Sequence, residues 1–317
     1  MPGPPASPRP FRFGLSLAGF DHGHDWAETA ARVEDLGYAT ILVPDHLGDQ
    51  LAPLPALAAA AAGTTLRVGT FVLNQDLHHP VVLAKEAATL DLLSAGRLEL
   101  GLGAGWRAEE YRRAGITFHP PGVRVARLSE AVAVLKGLWS GRPFSFTGDH
   151  YRITQLEGRP LPHQHPHPPL LLAGAGPRLL ALAGREADVV GIAPRAGAGG
   201  HDLVDTAPAS VAAKVALVRE AAGPRADAVE LNVLNVAVQV TDGHDRTARP
   251  DRAAELARRA GLPPEQILAS PHVLLGSVDQ VVDDLESHRE RFGISYITVP
   301  EPALESFAPV VARLAGA

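Results

Sequence analysis

Three consecutive stretches decide the fold: LRVGTFVL at residues 66–73, PVVLAKEAATLDLL at 80–93 and RLELGLG at 97–103. The first and third are short apolar runs, too short for a stable helix and rich in residues that suit a pleated strand. The middle stretch opens on a proline, whose missing N–H is harmless in a first helical turn, and runs on through good helix formers. Strand, helix, strand with short connections makes the two strands parallel neighbours, with the helix packed across them. Parallel strands are covered on both faces, which accounts for the near-continuous apolar character of both runs.

The same unit repeats in both directions. Upstream, FRFGLSL (11–17) alternates at period two as strand 1. Trp26, Ala30 and Val33 recur at helical spacing before Gly37, ATILVP (39–44) is strand 2, and an alanine-rich helix covers 54–62. Downstream of strand 4 at 97–103, helical patterns occupy 107–115 and 124–139. Residues 141–168 then break the rhythm with a hairpin-like FSFTGDHYRI and the proline-rich PLPHQHPHPP. The alternation resumes with strand 5 at 169–173, a helix from Pro177 and strand 6 at 188–193. A Gly-rich loop at 196–202 leads to a helix over 209–222, and strand 7 covers 229–240. Helices at 251–260 and 278–291, strand 8 at 294–299 and a helix at 303–315 complete the pattern. Eight strands, each followed by a helix, predict an α/β chain folded as a (β/α)₈ TIM barrel with an excursion between strands 4 and 5. Residues 1–10 read as a flexible tail and 11–317 as one barrel domain.

Composition narrows the function. The 317 residues include 46% apolar side chains, enough for a large core, and carry a net charge of −6 without long runs. No basic stripe marks a nucleic-acid or anionic-membrane surface. The absence of cysteine excludes disulfides, thiolate nucleophiles, iron–sulfur clusters and thiolate zinc sites. The N-terminal MPGPPASPRP lacks the apolar run of a signal peptide, and the alanine-rich run at 54–63 is too short to span a bilayer, so a cytoplasmic protein is expected.

In such barrels the site lies at the C-terminal ends of the strands. That rule selects Ala18–Phe20, Asp45-His46, Phe71–Asp76, Gly103–Trp106, Gly174–Gly176, Ala193–Arg195, Val240–Asp242 and Pro300-Glu301. His46 is placed as an acid or base near neutral pH, or as a structural hydrogen-bonding group. Asp45 reads as a cap or a partner for a polar cofactor ring. Gly174-Ala175-Gly176-Pro177 opens a helix, whose free N–H groups and positive end suit a phosphate, with Arg178 adding charge; a plain tight turn would use the same glycines. The glycines of GLGAG (101–105) would remove side chains where a flat ring passes, though their spacing is not the dinucleotide fingerprint. Trp106 is a substrate-pocket wall or a core aromatic. His163, His165 and His167 alternate in the proline-rich loop without a carboxylate, so no metal is expected there. His78-His79-Pro80 begins a helix close to the mouth. No nucleophile elbow, HExxH or P-loop is present.

The string DLHHPVVLAKEAATLDLLSAGRLELGLGAGWRAEEY (76–111) resembles the luciferase-like monooxygenase superfamily. So do GVRVARLSEAVAVLKGLWSG (122–141), HPPLLLAGAGPRLLALAGREADVVGI (167–192) and SPHVLLGSVDQVVDDL (270–285). The resemblance covers nearly the whole chain and points to the branch that uses the deazaflavin coenzyme F420, with FMN as the alternative cofactor. It implies that Asp45 touches the deazaflavin and that His46 sits near its reactive carbon. It also implies a non-proline cis peptide at Phe71-Val72 behind the ring, and contact of Asn74 with the ring or ribityl chain. Ala104 and Gly105 would line the channel, and Gly174, Ala175, Gly176, Arg178 and Leu179 would hold the phosphate. Sugar-phosphate dehydrogenases of this branch carry Glu after the strand 4 glycines; Trp106 stands there, so the resemblance implies that the carboxylate partner is missing. The expected reaction is hydride transfer to a small organic molecule, as in reduction of an activated C=C or C=N bond. The alternatives are an FMN-dependent monooxygenase and a non-catalytic flavin-binding barrel. A homodimer is a further implication of the resemblance.

Overall fold

The computed structural model describes residues 9–18, 25–197, 200–242 and 247–317. Most of the expected tail (residues 1–8), Gly19 and Phe20 at the end of strand 1 and residues 198–199 of the Gly-rich loop lie outside the described residues.

Eight parallel staves close into a ring: β1 (Arg12–Ser16), β2 (Thr40–Val43), β3 (Arg67–Thr70, resuming at Leu73–Asn74), β4 (Leu98–Gly103), β5 (Leu170–Gly174), β6 (Val189–Ile192), β7 (Glu230–Leu234) and β8 (Ile294–Pro300). Pairing runs β1 to β8 in chain order, and β8 returns to β1 with Arg12 opposite Tyr296. Helices α1 (Trp26–Asp35), α2 (Pro53–Gly63), α3 (Pro80–Leu93), α4 (Ala108–Ala114), α5 (Pro121–Leu138), α6 (Pro177–Glu186), α7 (Pro208–Ala222), α8 (Ala248–Ala260), α9 (Pro264–Leu268), α10 (Val278–Phe292) and α11 (Leu304–Leu314) follow the staves. Every residue of β4 is buried, as a stave covered on both faces requires. Local chemistry sets the helix ends: Ser277 and Gln280 form a reciprocal capping box on α10, and Gly293 closes it in the left-handed region at φ 76°. The excursion contains the expected hairpin, Phe144–Thr147 paired with Arg152–Leu156.

One element differs from the sequence reading. The run 229–240 is two strands: β7 stops at Leu234, and Ala237–Thr241 leaves the barrel to pair in parallel with Val273–Ser277. Asn235 makes the switch. Its backbone N–H still donates to Thr298 O of β8 at 3.1 Å, while its Nδ2 donates to Pro271 O at 2.8 Å, and the next N–H, of Val236, goes to His272 O. The mouth after β7 is therefore formed by Leu234–Val236, and Val240–Asp242 are displaced from it. The strand Val273–Ser277 and helix α9 were not expected from the pattern.

The N-terminal end of the barrel is stoppered by charge. Arg12 Nη1 lies 2.5 Å from Glu99 Oε1, Arg12 Nη2 2.6 Å from Glu230 Oε2, and Arg67 Nε 2.6 Å from Glu99 Oε1. The Arg12 guanidinium also lies 3.6 Å from the centre of the Tyr296 ring. Burial opposes ionisation of Glu99, but Arg12 and Arg67 outweigh it and hold the carboxyl below its ordinary value. This end is a structural plug, which leaves the opposite mouth for a ligand.

Candidate active site

At the C-terminal mouth the staves surround a cavity of about 1130 Å³. Asp45, His46, Phe71, Val72, Asn74, Ala104, Gly105, Trp106, Gly174, Ala175, Gly176, Arg178 and Leu179 all line it. Its volume exceeds the range of roughly 300–1,000 Å³ usual for drug-sized ligands, as a large cofactor with a substrate beside it requires.

The back wall is a bulge in β3. Gly69 pairs with Glu99 and Leu73 with Leu102, so four steps along β3 oppose three along β4. The Phe71-Val72 peptide inside the bulge is cis. Thr70 replaces the missing ladder bonds with its side chain: Oγ1 donates to Gly101 O at 2.7 Å and accepts from Gly101 N–H at 2.8 Å. The glycines of β4 follow from this. A Cβ at Gly101 would collide with the Thr70 carbonyl, and one at Gly103 would lie 2.7 Å from Val72 Cγ2. Their absent side chains make room for the bulge.

Asp45 and His46 leave β2 together and make different contacts. Asp45 Oδ2 accepts from the Asn74 N–H at 2.9 Å and lies 2.8 Å from His78 Nε2, which ties β2 to the end of the bulge. Asn74 Oδ1 accepts from the Tyr111 hydroxyl at 2.9 Å and from the Asp76 N–H at 3.2 Å, so what Asn74 has left for a ligand is its Nδ2 group. Burial raises the Tyr111 pKa and keeps that hydroxyl a donor. Gly105, at φ 72°, passes so close to Tyr111 and Asn74 that no side chain fits. The carbonyls of Ala104 and Gly105 are engaged by the buried Arg124, at 3.0 and 3.3 Å.

His46 Nδ1 lies 3.1 Å from Glu110 Oε1 and 3.2 Å from Oε2. Trp106 precedes Arg107, the N-cap of α4, and Glu110 lies in the first turn of that helix, and both side chains reach His46. The Trp106 ring meets the imidazole edge-on at a centroid distance of 5.8 Å. Thus the expected lack of a carboxylate partner does not hold: position 106 has none, but position 110 supplies one. Glu109 turns outward to Arg112 and Arg113. Glu110, Arg124 and His201 line the cavity and were not among the residues singled out, while Tyr111 and His78, the latter expected close to the mouth, hold the lining residues Asn74 and Asp45.

The other side of the cavity is the turn after β5. Gly176 caps α6 without a side-chain hydrogen bond, and Pro177 occupies the first turn. The amides of Arg178 and Leu179 have no intrahelical acceptor at these positions. A Cβ at Gly176 would meet nothing within 4 Å, so the turn faces open space. Arg178 has no ion-pair partner among the described residues, and its Nη1 rests against Gly122 at the start of α5. Free amides, a helix N-terminus and a cation make a donor set suited to a phosphate. Together with the flat back wall at Phe71-Val72, these residues fit a phosphorylated flavin or deazaflavin. The three alternating histidines of the proline-rich loop are not among the lining residues, and no metal-binding cluster occurs among the described residues. No helix among them is long and apolar enough to cross a membrane.

Comparison with known proteins agrees with this architecture. An F420-dependent glucose-6-phosphate dehydrogenase from Nakamurella multipartita is 33% identical over 194 residues, which cover 57% of this chain and 56% of that enzyme. The chain thus spans little more than half the length of this curated relative. The structure of a coenzyme F420-dependent tetrahydromethanopterin reductase from Methanopyrus kandleri superposes with a TM-score of 0.76 at 19% identity, covering 96% of this chain and 99% of that one. The monooxygenase RslO1 from Streptomyces bottropensis gives 0.73 at 24% identity, covering 96% and 97%. At these identities the two structures share the fold. Residues 10–296 match the model of the luciferase-like monooxygenase family, and the chain belongs to that family.

Proposed function

We propose that this protein is an F420-dependent oxidoreductase that transfers a hydride between the deazaflavin and a small organic molecule, acting as a reductase of an activated C=C or C=N bond. The observation that carries the reading is the His46–Glu110 contact on the cavity that also holds the cradle at Gly174–Gly176. When bound, the deazaflavin supplies a carbon that gives or takes a hydride and reacts poorly with oxygen. Reduction of the substrate then needs one proton, which the chain or water can supply.

His46 is the group placed to do so. With Glu110 accepting from Nδ1–H, Nε2 is the nitrogen left to exchange a proton with the substrate. The carboxylate fixes the ring orientation and offsets the charge of the imidazolium. Gly174–Gly176, Arg178 and Leu179 would hold the phosphate, Phe71 and Val72 would back the ring, and Asn74 and Asp45 would be the polar groups offered to the cofactor. The aromatic and proline residues around the mouth exclude water from the transfer.

Oxygen uptake tests the reading. The purified protein is mixed with reduced F420 or reduced FMN in an oxygen electrode, with an activated enone present. The expected outcome is oxidation of F420 with enone reduction and no oxygen uptake. Oxygen consumption that depends on reduced FMN would replace this reading by that of a flavin monooxygenase.

A further inference from the structure

The cavity side next to His46 has a chemical character of its own. Among the described residues its cationic lining is Arg107, Arg124 and Arg178. Arg107 lies 4.7 Å over the Trp106 ring and 3.2 Å from Glu110. Arg124 is consumed by backbone carbonyls, and Arg178 stands at the phosphate cradle. The cation beside His46 is therefore Arg107, and it is already shared between the Trp106 ring and the Glu110 carboxylate. The carboxylates are engaged as well: Asp45 by Asn74 and His78, Glu110 by His46, and Asp49 and Glu301 by contacts of their own. The surface between them is ring and proline: Trp106 with His201 tilted beside it at 6.3 Å and 33°, and Pro44, Pro194, Pro300 and Pro302 at the stave ends. Prolines present no N–H, so this wall has few donors for a polyhydroxylated ligand.

The segment that carries His201 is held by one buried pair. Lys214 Nζ of α7 lies 2.7 Å from Asp205 Oδ2 and donates to Ala193 O at 3.0 Å. Asp205 Oδ2 also accepts from the Arg195 N–H at 2.7 Å, and Oδ1 accepts from Ser210 Oγ at 2.5 Å. The Asp202 N–H returns to Arg195 O at 2.8 Å. Both ends of the segment are thus tied to the same ion pair, and Lys214 and Asp205 are almost wholly buried. A buried pair is weak evidence of net stabilisation, but this one makes contacts to Ala193, Arg195 and Ser210 that tie the segment in place.

We infer that the His46 side of the cavity selects an uncharged, planar substrate, stacked on Trp106 beside His201, with the Lys214–Asp205 pair as the positioning device that sets the gap. The inference deepens the oxidoreductase reading and rests on it for the reaction, although the clamp itself is made of protein side chains alone.

The test is calorimetric titration of the protein loaded with oxidised F420, using menadione as an uncharged planar probe and glucose 6-phosphate as an anionic, polyhydroxylated one. Menadione is expected to bind and glucose 6-phosphate not to. Trp106→Ala should weaken menadione by about tenfold, the scale of one aromatic contact, with F420 affinity unchanged. Lys214→Met should raise KM for an enone while leaving kcat within about twofold, the signature of lost uniform binding. If that variant does not fold, the Lys214→Met/Asp205→Leu double variant, which leaves no lone buried charge, carries the same expectation. Glucose 6-phosphate binding in competition with menadione, or menadione binding indifferent to Trp106→Ala, would overturn the inference. The titrations are repeated on cofactor-free Trp106 variants, so a failure to bind F420 would strike the cofactor reading and leave the clamp still measurable.

Discussion

The Glu110 carboxylate sits 3.1 Å from Nδ1 of His46, although the two residues come from different loops of the barrel mouth. One loop follows β2 and the other becomes α4, so the contact exists only once the ring has closed. It fixes which imidazole nitrogen is available to a substrate.

From this contact, His46→Ala is expected to lower kcat for enone reduction by about 10²–10⁴, the usual range for a positioned acid or base, with F420 affinity within about twofold of the parent. Glu110→Gln keeps the size of the side chain and removes its charge; it should lower kcat by a smaller factor of about 10–10². Stopped-flow oxidation of reduced F420 measures both. Undiminished turnover in His46→Ala would remove His46 from the chemistry.

The bulge in β3 gives a second expectation. Gly101→Ala forces a methyl against the Thr70 carbonyl, which is backbone and has no rotamer to yield. It should cost about 1–3 kcal/mol, as overpacked sites do, and should weaken cofactor binding by displacing Phe71 and Val72. Gly103→Ala meets only the end of the Val72 side chain and should cost less. Urea denaturation and cofactor titration of the two variants give the ranking; equal effects would mean that the bulge does not set the need for glycine.

At the other end of the barrel, Glu99→Gln removes the buried negative charge that Arg12 and Arg67 share and leaves Arg12 only Glu230. Breaking a buried pair in this way should destabilise by about 3–5 kcal/mol. Cofactor affinity should not change, because the network belongs to the opposite end from the mouth. Denaturation with parallel F420 titration separates the two effects.

The alternation of strand and helix was legible because period two and period 3.6 are written in the apolar residues, and the helix starts at Pro80 and Pro177 are marked by their prolines. The split at Asn235 was overlooked although the alternation slips beside it: apolar residues fall at 229, 231 and 233 and then at 234, 236, 238 and 240, and the tertiary acceptors Thr298 O and Pro271 O show that this slip is a change of sheet. The positions singled out at the stave ends do converge on one cavity, since a barrel brings its C-terminal ends together whatever their spacing in sequence. Which of two adjacent glutamates would face His46 was undecided by sequence, because Glu109 and Glu110 differ only by a helical step of rotation. The crowding at Gly101 was hidden for a similar reason: its neighbour is the Thr70 carbonyl, 31 residues away along the chain.

Two buried histidines make stability depend on pH. Burial depresses His272 and His288 to about 4, from an ordinary value of 6.5. His272 nevertheless has its Nδ1 within 2.7 Å of Leu234 O, while its Nε2 lacks a partner among the described residues. Below pH 6.5 the unfolded chain takes up protons that the folded chain refuses, so stability is intact above that value and is lost as pH falls toward 4. Each histidine contributes a slope of up to about 1.4 kcal/mol per pH unit in that window. Denaturation midpoints across it should fall with pH, and His288→Phe should flatten the dependence by about half its histidine part. A flat profile in the parent would show that these rings are not buried neutral.

The most direct test of the central claim is a parallel fluorescence titration of the purified apo-protein with F420 and with FMN. The account predicts saturable F420 binding, FMN binding weaker by at least about tenfold, and loss of F420 affinity in Arg178→Ala, where the unpaired cation of the cradle is removed. Tight FMN binding with weak F420 binding would contradict the deazaflavin assignment, and binding of neither would contradict the reading of this cavity as a cofactor site.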